Sequence, residues 1–446
     1  MHKYSEVIAL PTLELKPVMP WQVLGCYAIK SLSEISGKFS VKVQDGKLLV
    51  NASPKDLAIW LLENMIEDGR PRLNTAPFLS QYRGNYGKLL NSFGKKNKSS
   101  VCTLCGKEGA AVELSKVFNP LMVSAPNFKT FYSFGKNRGE KLCVECALQL
   151  FAAPLGAFFF AAFQQHTSRI IHLYTFPWDL EEAFVFIDTS KRTVGNEVRK
   201  SNITLNMKKE PVHPEEALLL LLWQLRKNSI PFENETFVAG AVSHIRQGQA
   251  WGVETRLEIY KLRPLVRFFE ALIEEGLDLS LCFDMLYESR LNDPHAYRKK
   301  IAADMVRMAD VARQAEDVLL SIDRHIPFLS DIVGKYEMEV KGMDEKLVEL
   351  CKDVGRSIGR FVFTEESKLS TFYQIRNAKT LEDYIRVLEE VSLDAVAIES
   401  ELYLPEDYLK LLSSNDWEIV RSLTNIFAVS MYRYLKSGKK EVNSNE

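Results

Sequence analysis

The feature that most constrains this chain is a set of four cysteines arranged as two close pairs. Cys102 and Cys105 form one C-x2-C pair, and Cys143 and Cys146 form the second. This spacing lets both sulfurs of a pair reach one metal ion, and four thiolates close a tetrahedral shell with no open position for catalysis. Gly106 follows the first pair, where a knuckle turn often needs a positive φ. The pattern predicts one structural zinc ion per chain.

Three other interpretations of the cysteines stay open. An iron–sulfur cluster uses the same ligands, although the long gap between the pairs is unusual for one. A thioredoxin-like redox motif accounts for one pair but not for two. The four cysteines can also be coincidental. The total of seven cysteines is odd, and two pairs with three singles are unlike a disulfide framework, which indicates an intracellular metal site.

An almost wholly apolar segment, Ala147 to Phe163, begins directly after the last of these cysteines. It is shorter than the roughly 20 residues that a membrane span needs, and Pro154 and Gly156 interrupt it. We therefore expect a buried core helix and no membrane partner. The N-terminal residues lack the basic-then-apolar layout of a signal peptide, so we expect a cytoplasmic protein.

The rest of the chain predicts an α+β fold, in which a mixed N-terminal domain with an inserted four-cysteine zinc-binding module precedes a mainly α-helical C-terminal half ending in a helical bundle. The length favours several domains. We expect an N-terminal domain at 1–215 with the zinc-binding insert at about 98–150, a helical middle region at 216–335, and the bundle at 336–446 with a short disordered tail.

Individual elements follow from apolar spacing and from start and turn signals. Ser53 is the expected N-cap of a helix that has Pro54 at its first position, and Asp45-Gly46 is a hairpin turn signal. Other predicted helices span 20–35, 214–226, 293–321, 344–363, 369–378, 381–390, 405–412 and 416–436, and almost everything after Glu254 is expected to be helical. Predicted strands span 39–43, 47–50, 169–176 and 183–188, and 81–100 is expected to be a loop.

The positive charge is concentrated in two segments, although the formal net charge is only −1. Between Arg83 and Lys141, eleven Lys and Arg residues face three Glu residues, and between Lys191 and Lys209 six face one. Such a distribution places a positive face on a neutral body, as a polyanion partner requires. The alternative is a set of solvated loops. The candidate nucleic-acid contacts in these segments outside the cysteine gap are Lys95, Lys96, Lys98, Arg199 and Lys200.

The gap between the two cysteine pairs alternates aromatic and cationic side chains. Aromatic rings that stack on bases and cations that meet phosphates are the requirements for binding single-stranded or flipped-out nucleic acid. The alternative is that the rings pack beneath the metal loop and only the cations are exposed. The candidate residues are Lys129, Phe131, Tyr132, Lys136 and Arg138.

A helix in the C-terminal half has a basic stripe, since Lys352, Arg356 and Arg360 recur at every fourth residue. Gly355 and Gly359 lie on an adjacent stripe. Glycine in a helix interior costs about 1 kcal/mol against alanine, so two of them indicate either close helix packing or contact with a phosphate. Close packing is the favoured interpretation.

No catalytic constellation can be assembled from the sequence. It has no phosphate-binding glycine loop, no dinucleotide fingerprint and no H-E-x-x-H zinc motif. Its seven histidines are dispersed. Binding, rather than catalysis, is therefore the expected function.

The sequence resembles the large subunit of type I CRISPR Cascade complexes, in the type I-A and I-B branch that has a four-cysteine zinc insert. The resemblance is carried by CTLCG at 102–106, by the aromatic and glycine-rich gap, and by GEKLCVECAL at 139–148. GRSIGRF at 355–361 and FYQIRNAKTLEDYIRVLEEV at 372–391 are also similar. Only the cysteine block is specific, and the likeness of the helical part is diffuse.

The resemblance implies a non-enzymatic subunit of a guide-RNA surveillance complex. It would recognise the motif that flanks the target DNA, aid duplex opening and stabilise the R-loop, while base pairing reads the sequence. The implied partners are target DNA, guide CRISPR RNA, the Cascade backbone and RNA-handle-binding subunits, and a helicase–nuclease. The alternatives are a metal-dependent nuclease with an unrecognised site and a zinc-stabilised scaffold for protein interactions.

Overall fold

The computed structural model describes residues 12–82, 84–94, 100–118, 141–164, 167–194, 208–232, 237–248, 250–397, 402–412 and 416–443. The chain forms two compact units. The first comprises Met1–Leu205 and Pro211–Leu262, and the second comprises Asn206–Glu210 and Arg263–Glu446. The fold is mixed α+β with a helical C-terminal half, which confirms the predicted fold class.

The first unit combines helices with antiparallel sheets. Its helices are α1 (Pro20–Ser36), α2 (Pro54–Met65), α3 (Ala76–Leu79), α4 (Gly87–Ser92), α5 (Val144–Gly156), α6 (Leu180–Thr193) and α7 (Pro214–Lys227). Its strands are β1 (Thr12–Leu15), β2 (Val41–Gln44), β3 (Lys47–Asn51), β4 (Ile66–Glu67), β5 (Arg70–Pro71), β6 (Val112–Glu113), β7 (Lys141–Leu142), β8 (Phe158–Gln164), β9 (Thr167–Pro177), β10 (Phe237–Gln247) and β11 (Ala250–Ile259).

The largest sheet of this unit has the strand order β11-β10-β9-β8, and every neighbouring pair is antiparallel. A smaller sheet has the order β1-β3-β2. Its β2–β3 hairpin turns at Asp45 and Gly46, which both have positive φ, as a two-residue type I′ turn requires. The Ser53 side chain accepts a hydrogen bond from the Asp56 amide at the start of α2. These two local predictions are confirmed.

Helices α1 and α5 cross at very close range in the core of the first unit. A Cβ atom at Gly25 of α1 would overlap the Gln149 carbonyl oxygen, and one at Gly156 of α5 would overlap the Leu24 carbonyl oxygen. Only glycine allows the two backbones to approach this far. The crossing fixes α5, which begins at the cysteine cluster, against a fully buried face of α1.

Three sequence predictions for this unit are corrected by the structure. Residues 183–188 belong to helix α6 rather than to a strand, because Asp179 caps the helix by accepting hydrogen bonds from the Glu181 and Glu182 amides. The apolar run to Phe163 is helical only to Gly156 and then forms β8. The loop expected at 81–100 contains α4.

The middle region at 216–335 is not uniformly helical, since it contains the long hairpin of β10 and β11. The segment 254–259 is therefore strand and not helix. Its sequence, ETRLEI, alternates apolar and charged residues with a period of two, which is the strand pattern. Pairing of β10 with β9 places this hairpin in the sheet of the first unit.

The second unit is helical in its described residues. It comprises α8 (Arg263–Glu274), α9 (Leu279–Met285), α10 (Ala296–Arg307), α11 (Ala312–Ser321), α12 (Leu329–Glu339), α13 (Glu345–Thr364), α14 (Ser370–Asn377), α15 (Leu381–Ala397), α16 (Glu406–Leu412) and α17 (Trp417–Asn443). The single helix expected at 293–321 is broken, because Met308 adopts a left-handed conformation that ends α10.

The main helix crossing of this unit joins α13 to α17. A Cβ atom at Gly355 would overlap the Thr424 carbonyl oxygen and lie 2.7 Å from Cβ of Phe427. One at Gly359 would overlap the Ala428 carbonyl oxygen. Close helix packing, the favoured interpretation of these glycines, is therefore confirmed, and contact with a phosphate is excluded at both positions.

Across the described ranges, no helix is both long enough and apolar enough to cross a membrane.

Candidate metal centre

The structure brings the four predicted cysteines together. Their Sγ atoms all lie within 4.8 Å of one another, and Cys105 Sγ is 3.6 Å from Cys143 Sγ. A single ion bound tetrahedrally at about 2.3 Å places its sulfurs about 3.8 Å apart. The four thiols therefore form a cluster of the size that one metal ion needs. No two of them are joined as a disulfide.

The first pair lies on a tight turn. The Gly106 amide donates to the Cys102 carbonyl oxygen at 2.9 Å, and the Cys102 amide donates to the Lys107 carbonyl oxygen at 2.8 Å. Gly106 has a φ of 74°, the conformation expected for the residue after such a pair. The turn is anchored to the second pair by the Thr103 amide, which donates to the Lys141 carbonyl oxygen at 2.9 Å.

The second pair lies at the N-terminus of α5. Cys143 is the N-cap of this helix, and its Sγ accepts a hydrogen bond from the Cys146 amide at 3.4 Å. The positive end of the helix dipole and the exposed amides of its first turn favour thiolates there. Strand β7 leads into the helix and pairs with β6, so that Val112 lies opposite Leu142. The start of α5 therefore holds one pair of cysteines, and the tight turn at Cys102–Lys107 holds the other.

Burial of the cluster is uneven. Cys102, Cys143 and Cys146 are each at most 3% exposed, whereas Cys105 is exposed. Hydrogen bonds from the thiols of Cys143 and Cys146 lower the pKa of Cys102. The cluster thus has a buried side against α5 and an exposed side at the first turn. An ion that binds all four thiols has no coordination position left for a substrate.

Two side chains outside the cluster complement its charge. Lys107 forms an ion pair with Glu145 across the two knuckles. Burial raises the pKa of the Glu145 carboxyl, but the hydrogen bond and charge of Lys107, together with the hydrogen bond from its own backbone amide, outweigh burial, and the pKa is lowered. The hydrogen bond to Glu145 is the main cause of the raised pKa of the Lys107 ammonium group, and the nearby Cys143 and Cys105 raise it further. Lys107 thus offsets part of the negative charge that four thiolates carry.

Gln22 of α1 is a partner of the cluster that sequence reasoning missed. Its Oε1 accepts a hydrogen bond from the Val18 amide at 2.8 Å, which directs the amide nitrogen away from Val18. Cys102 raises the pKa of Cys146, whereas the nearby Gln22 side chain lowers it. The Gln22 amide nitrogen is fully buried, and it has no hydrogen-bond partner of normal geometry in the described part of the chain. A buried amide placed beside a sulfur in this way fits the role of a donor to a metal-bound thiolate.

The signal that could have indicated Gln22 is its place in the sequence PWQVLGCYAI, where it is the single uncharged polar amide in an apolar run. A polar side chain at a buried helical position requires a partner. The partner itself lies more than a hundred residues away along the chain, so that only the α1–α5 crossing reveals it.

Most of the predicted nucleic-acid contacts lie outside the described residues. These are Lys95, Lys96, Lys98, Lys129, Phe131, Tyr132, Lys136, Arg138, Arg199 and Lys200. The structure does describe both ends of the gap between the cysteine pairs, and the cluster joins these ends at one point.

The basic stripe on α13 is largely paired within the second unit. Asp331 of α12 lies 3.4 Å from Lys352 Nζ and 3.6 Å from a guanidinium nitrogen of Arg356. Arg360 is exposed, and it forms no ion pair with a described residue. Two of the three cations therefore already have an acidic partner, so only Arg360 presents its full charge to solvent.

Two cations of the basic segment between Lys191 and Lys209 interact with other residues of the first unit. Lys191 is buried, and its ammonium group lies over the rings of Tyr27 and Phe158. Burial lowers the pKa of Lys191 to about 7. Arg192 pairs with Asp188 on the same helix. Lys191 is therefore not part of an exposed basic surface, whereas Arg192 is exposed and has an acidic partner on its own helix.

No protein-family model matches the sequence, and no curated protein matches it either.

Proposed function

We propose that the four-cysteine cluster holds one structural zinc ion. Four thiolates are the ligand set of closed structural zinc sites, and the sulfur separations fit a single ion. An iron–sulfur cluster places two or more irons between the same ligands, which needs wider separations. A redox pair requires one isolated C-x2-C motif, whereas here Cys102 and Cys105 lie against Cys143 and Cys146.

We further propose that the chain is a non-catalytic, nucleic-acid-binding large subunit of a type I CRISPR guide-RNA complex. The observation that carries this proposal is that the cysteine cluster closes both ends of the aromatic and basic segment between Cys105 and Cys143 onto a buried helix. A segment closed in this way loses less conformational entropy when it binds a partner. Its lysines, arginine and aromatic rings are the side chains that bind phosphates and bases.

In this role the first unit contacts target DNA beside the guide-paired region. It recognises the flanking motif, aids duplex opening and stabilises the displaced strand. The guide RNA, the backbone and RNA-handle-binding subunits, and a recruited helicase–nuclease are its partners. The proposal rests on the sequence resemblance and on the closed basic segment.

Binding of DNA across a range of salt concentrations tests this function. The purified full chain is titrated with a fluorescent DNA fork that carries a single-stranded branch. Phosphate contacts release counterions, so we expect log affinity to fall steeply with log salt concentration. A flat response, or no binding at low salt, would contradict the proposal and favour a protein-interaction scaffold. Cleavage of the fork by the chain alone with Mg²⁺ or Mn²⁺ would favour a nuclease instead.

A charge-reversal variant locates the contact. Lys129, Lys136 and Arg138 are changed together to glutamate, and the matched control changes Lys16, Lys42 and Lys55. The control residues are exposed cations in other parts of the first unit. We expect the first variant to lose binding and to keep its metal, whereas the control binds as the wild type does.

A further inference from the structure

A cavity of about 400 Å³ lies in the first unit where one end of the four-stranded sheet is left uncovered. We call it the sheet-end cavity. Its floor is the sheet, and its walls are the β4–β5 hairpin, helix α3 and the turn that precedes α4. The volume falls within the range of about 300–1,000 Å³ that small-molecule sites occupy.

The floor of the sheet-end cavity is a row of side chains from three strands. Ser168 of β9, Arg246 of β10 and Trp251 of β11 are directly opposed, so that their side chains share one face of the sheet. Ile170 lies two residues further along β9 and faces the same side. Ile170 and Trp251 pack with Phe159 in one buried cluster. The floor is therefore apolar and rigid, with a cation at its edge.

The rim of the cavity is cationic. Arg70 lies on the β4–β5 hairpin and Arg246 lies on the sheet, so that the two guanidinium groups approach the cavity from different elements. Arg246 Nε donates to the Gly248 carbonyl oxygen at 3.1 Å, which holds this side chain at the end of its strand. Among the described residues, no carboxylate lines the cavity and neither arginine forms an ion pair. The site therefore favours an anion.

An aromatic wall completes the cavity. Tyr86 is half-buried in the turn before α4 and lines the cavity together with Trp251. The neighbouring ring of Tyr82 lies 6.1 Å from that of Tyr86 and supports it. Aromatic faces accept any base by stacking, and arginine binds phosphate oxygens with two parallel hydrogen bonds. An apolar floor, aromatic rings and two cations match the base and the phosphate of one nucleotide.

We propose that the sheet-end cavity binds one nucleotide of a single-stranded nucleic acid. The base enters the cavity against Tyr86 and Trp251, and Arg70 and Arg246 hold its phosphates at the rim. The inference rests on the proposed nucleic-acid function and adds to it a defined contact outside the cysteine segment. It also identifies a site that the linear charge pattern does not indicate, since Arg246 lies outside both basic segments.

Tryptophan fluorescence and anisotropy of the full chain test this site. The probe is a mixed-sequence, labelled single strand of about ten nucleotides, and an equimolar mixture of nucleoside monophosphates is the second ligand. We expect the oligonucleotide to quench tryptophan emission. Trp251→Phe keeps the aromatic floor but loses most of the quenching, although its affinity stays close to that of the wild type.

Two variants measure the phosphate and base contacts separately. The double variant Arg70→Ala, Arg246→Ala should weaken oligonucleotide binding about tenfold and lower the salt slope by about 0.7 for each arginine. Tyr86→Ala should weaken binding about fivefold without changing the salt slope, whereas Tyr86→Phe should bind as the wild type does. Lys42→Ala, an exposed cation on β2, is the charge control and should have little effect. Thermal unfolding of each variant checks that it folds.

The outcomes separate this inference from the proposed function. If the wild type binds the strand with a steep salt slope but all the cavity variants bind equally well, the cavity assignment is wrong and the function stands. If the wild type binds no strand, both are wrong. If the monophosphates alone give the full quenching and compete with the strand at equal concentration, the cavity is a small-molecule site and the strand contact is overturned.

Discussion

The cysteine cluster of the first unit and the α13–α17 crossing of the second both hold two segments at close range, but by different physical means. At the cluster, four thiols from two knuckles converge within 4.8 Å, a spacing that could hold one metal ion. At the crossing, Gly355 and Gly359 present no side chain, so the backbone of α13 lies directly against the Thr424 and Ala428 carbonyl oxygens of α17. With the proposed metal bound, the first contact depends on metal, redox state and proton concentration, whereas the second depends on shape alone.

The largest expected effect is loss of the metal ligands. Cys143→Ser removes a ligand and replaces the thiol that caps α5, so we expect the first unit to lose its cooperative thermal transition and the second unit to keep its helical signal. Structural zinc contributes on the order of 10 kcal/mol to folding. Circular dichroism with and without a chelator measures this. Cys26→Ser is the control, because Cys26 is buried in the same unit and is not part of the cluster. If a chelator leaves the thermal transition of the wild-type first unit unchanged, the cluster does not depend on metal and the comparison is wrong.

A smaller effect is expected when the crossing is overpacked. Gly355→Ala places a methyl group against the Thr424 carbonyl oxygen, and we expect a loss of about 2 kcal/mol in the free energy of unfolding. Gly438→Ala in the partner helix of this crossing, α17, is the control, since a Cβ there meets nothing within 4 Å. The control should be stabilising by up to about 1 kcal/mol. If urea unfolding gives the two substitutions the same change in the free energy of unfolding, the helices do not pack closely at Gly355.

The helical unit should also respond to pH in the opposite direction from the metal cluster. Burial raises the pKa of Glu337 to about 7, from an ordinary value of 4.5. The folded state then binds a proton more tightly than the unfolded state, so stability is full below pH 4.5 and declines as pH rises through about 7. Thiolate–metal bonds weaken instead as pH falls.

Glu337→Gln should flatten this pH dependence of the second unit, because an amide does not titrate. The measurement is urea unfolding at several pH values between 4.5 and 7.5 or so, with Glu339→Gln on the same helix as the control. The control should keep the wild-type slope. A Glu337→Gln variant whose stability still falls with pH like that of the wild type would assign the effect to another group.

The smallest effect concerns the amide beside the cluster. Gln22→Leu keeps the volume of the side chain but removes the amide donor beside Cys146, and we expect metal affinity to fall about tenfold while the fold persists. Competition with a chromophoric chelator measures the affinity. Gln81→Leu, at an exposed glutamine of the same unit, should bind metal as the wild type does. Unchanged affinity in Gln22→Leu would remove this residue from the site.

Local chemistry explains which parts of the fold could be predicted from the sequence. Each C-x2-C pair, the Asp45-Gly46 turn and the Ser53 cap depend on residues within a few positions of one another. Close packing at the glycine pair on α13 could also be predicted, because glycine inside a helix is destabilising and is retained for few reasons. Each of these features can be predicted from neighbouring residues, and each is found in the structure.

The predictions that were wrong, and the features that the sequence did not reveal, depended on competing periodicities or on distant partners. The run at 183–188 is short and apolar, and only the Asp179 cap before it distinguishes helix from strand. The sheet-end cavity depends on the register of three strands, which places Ser168, Arg246 and Trp251 in one row. No local sequence pattern predicts the pairing register of these strands. The contact between Gln22 and Cys146 likewise exists only once α1 crosses α5.

The metal content of the purified full chain tests the central claim most directly. Elemental analysis of the wild type should give about one zinc per chain, and Cys143→Ser should give none, while Cys26→Ser retains it. A wild-type chain that is fully folded without metal, or one that contains iron with acid-labile sulfide, would contradict the account.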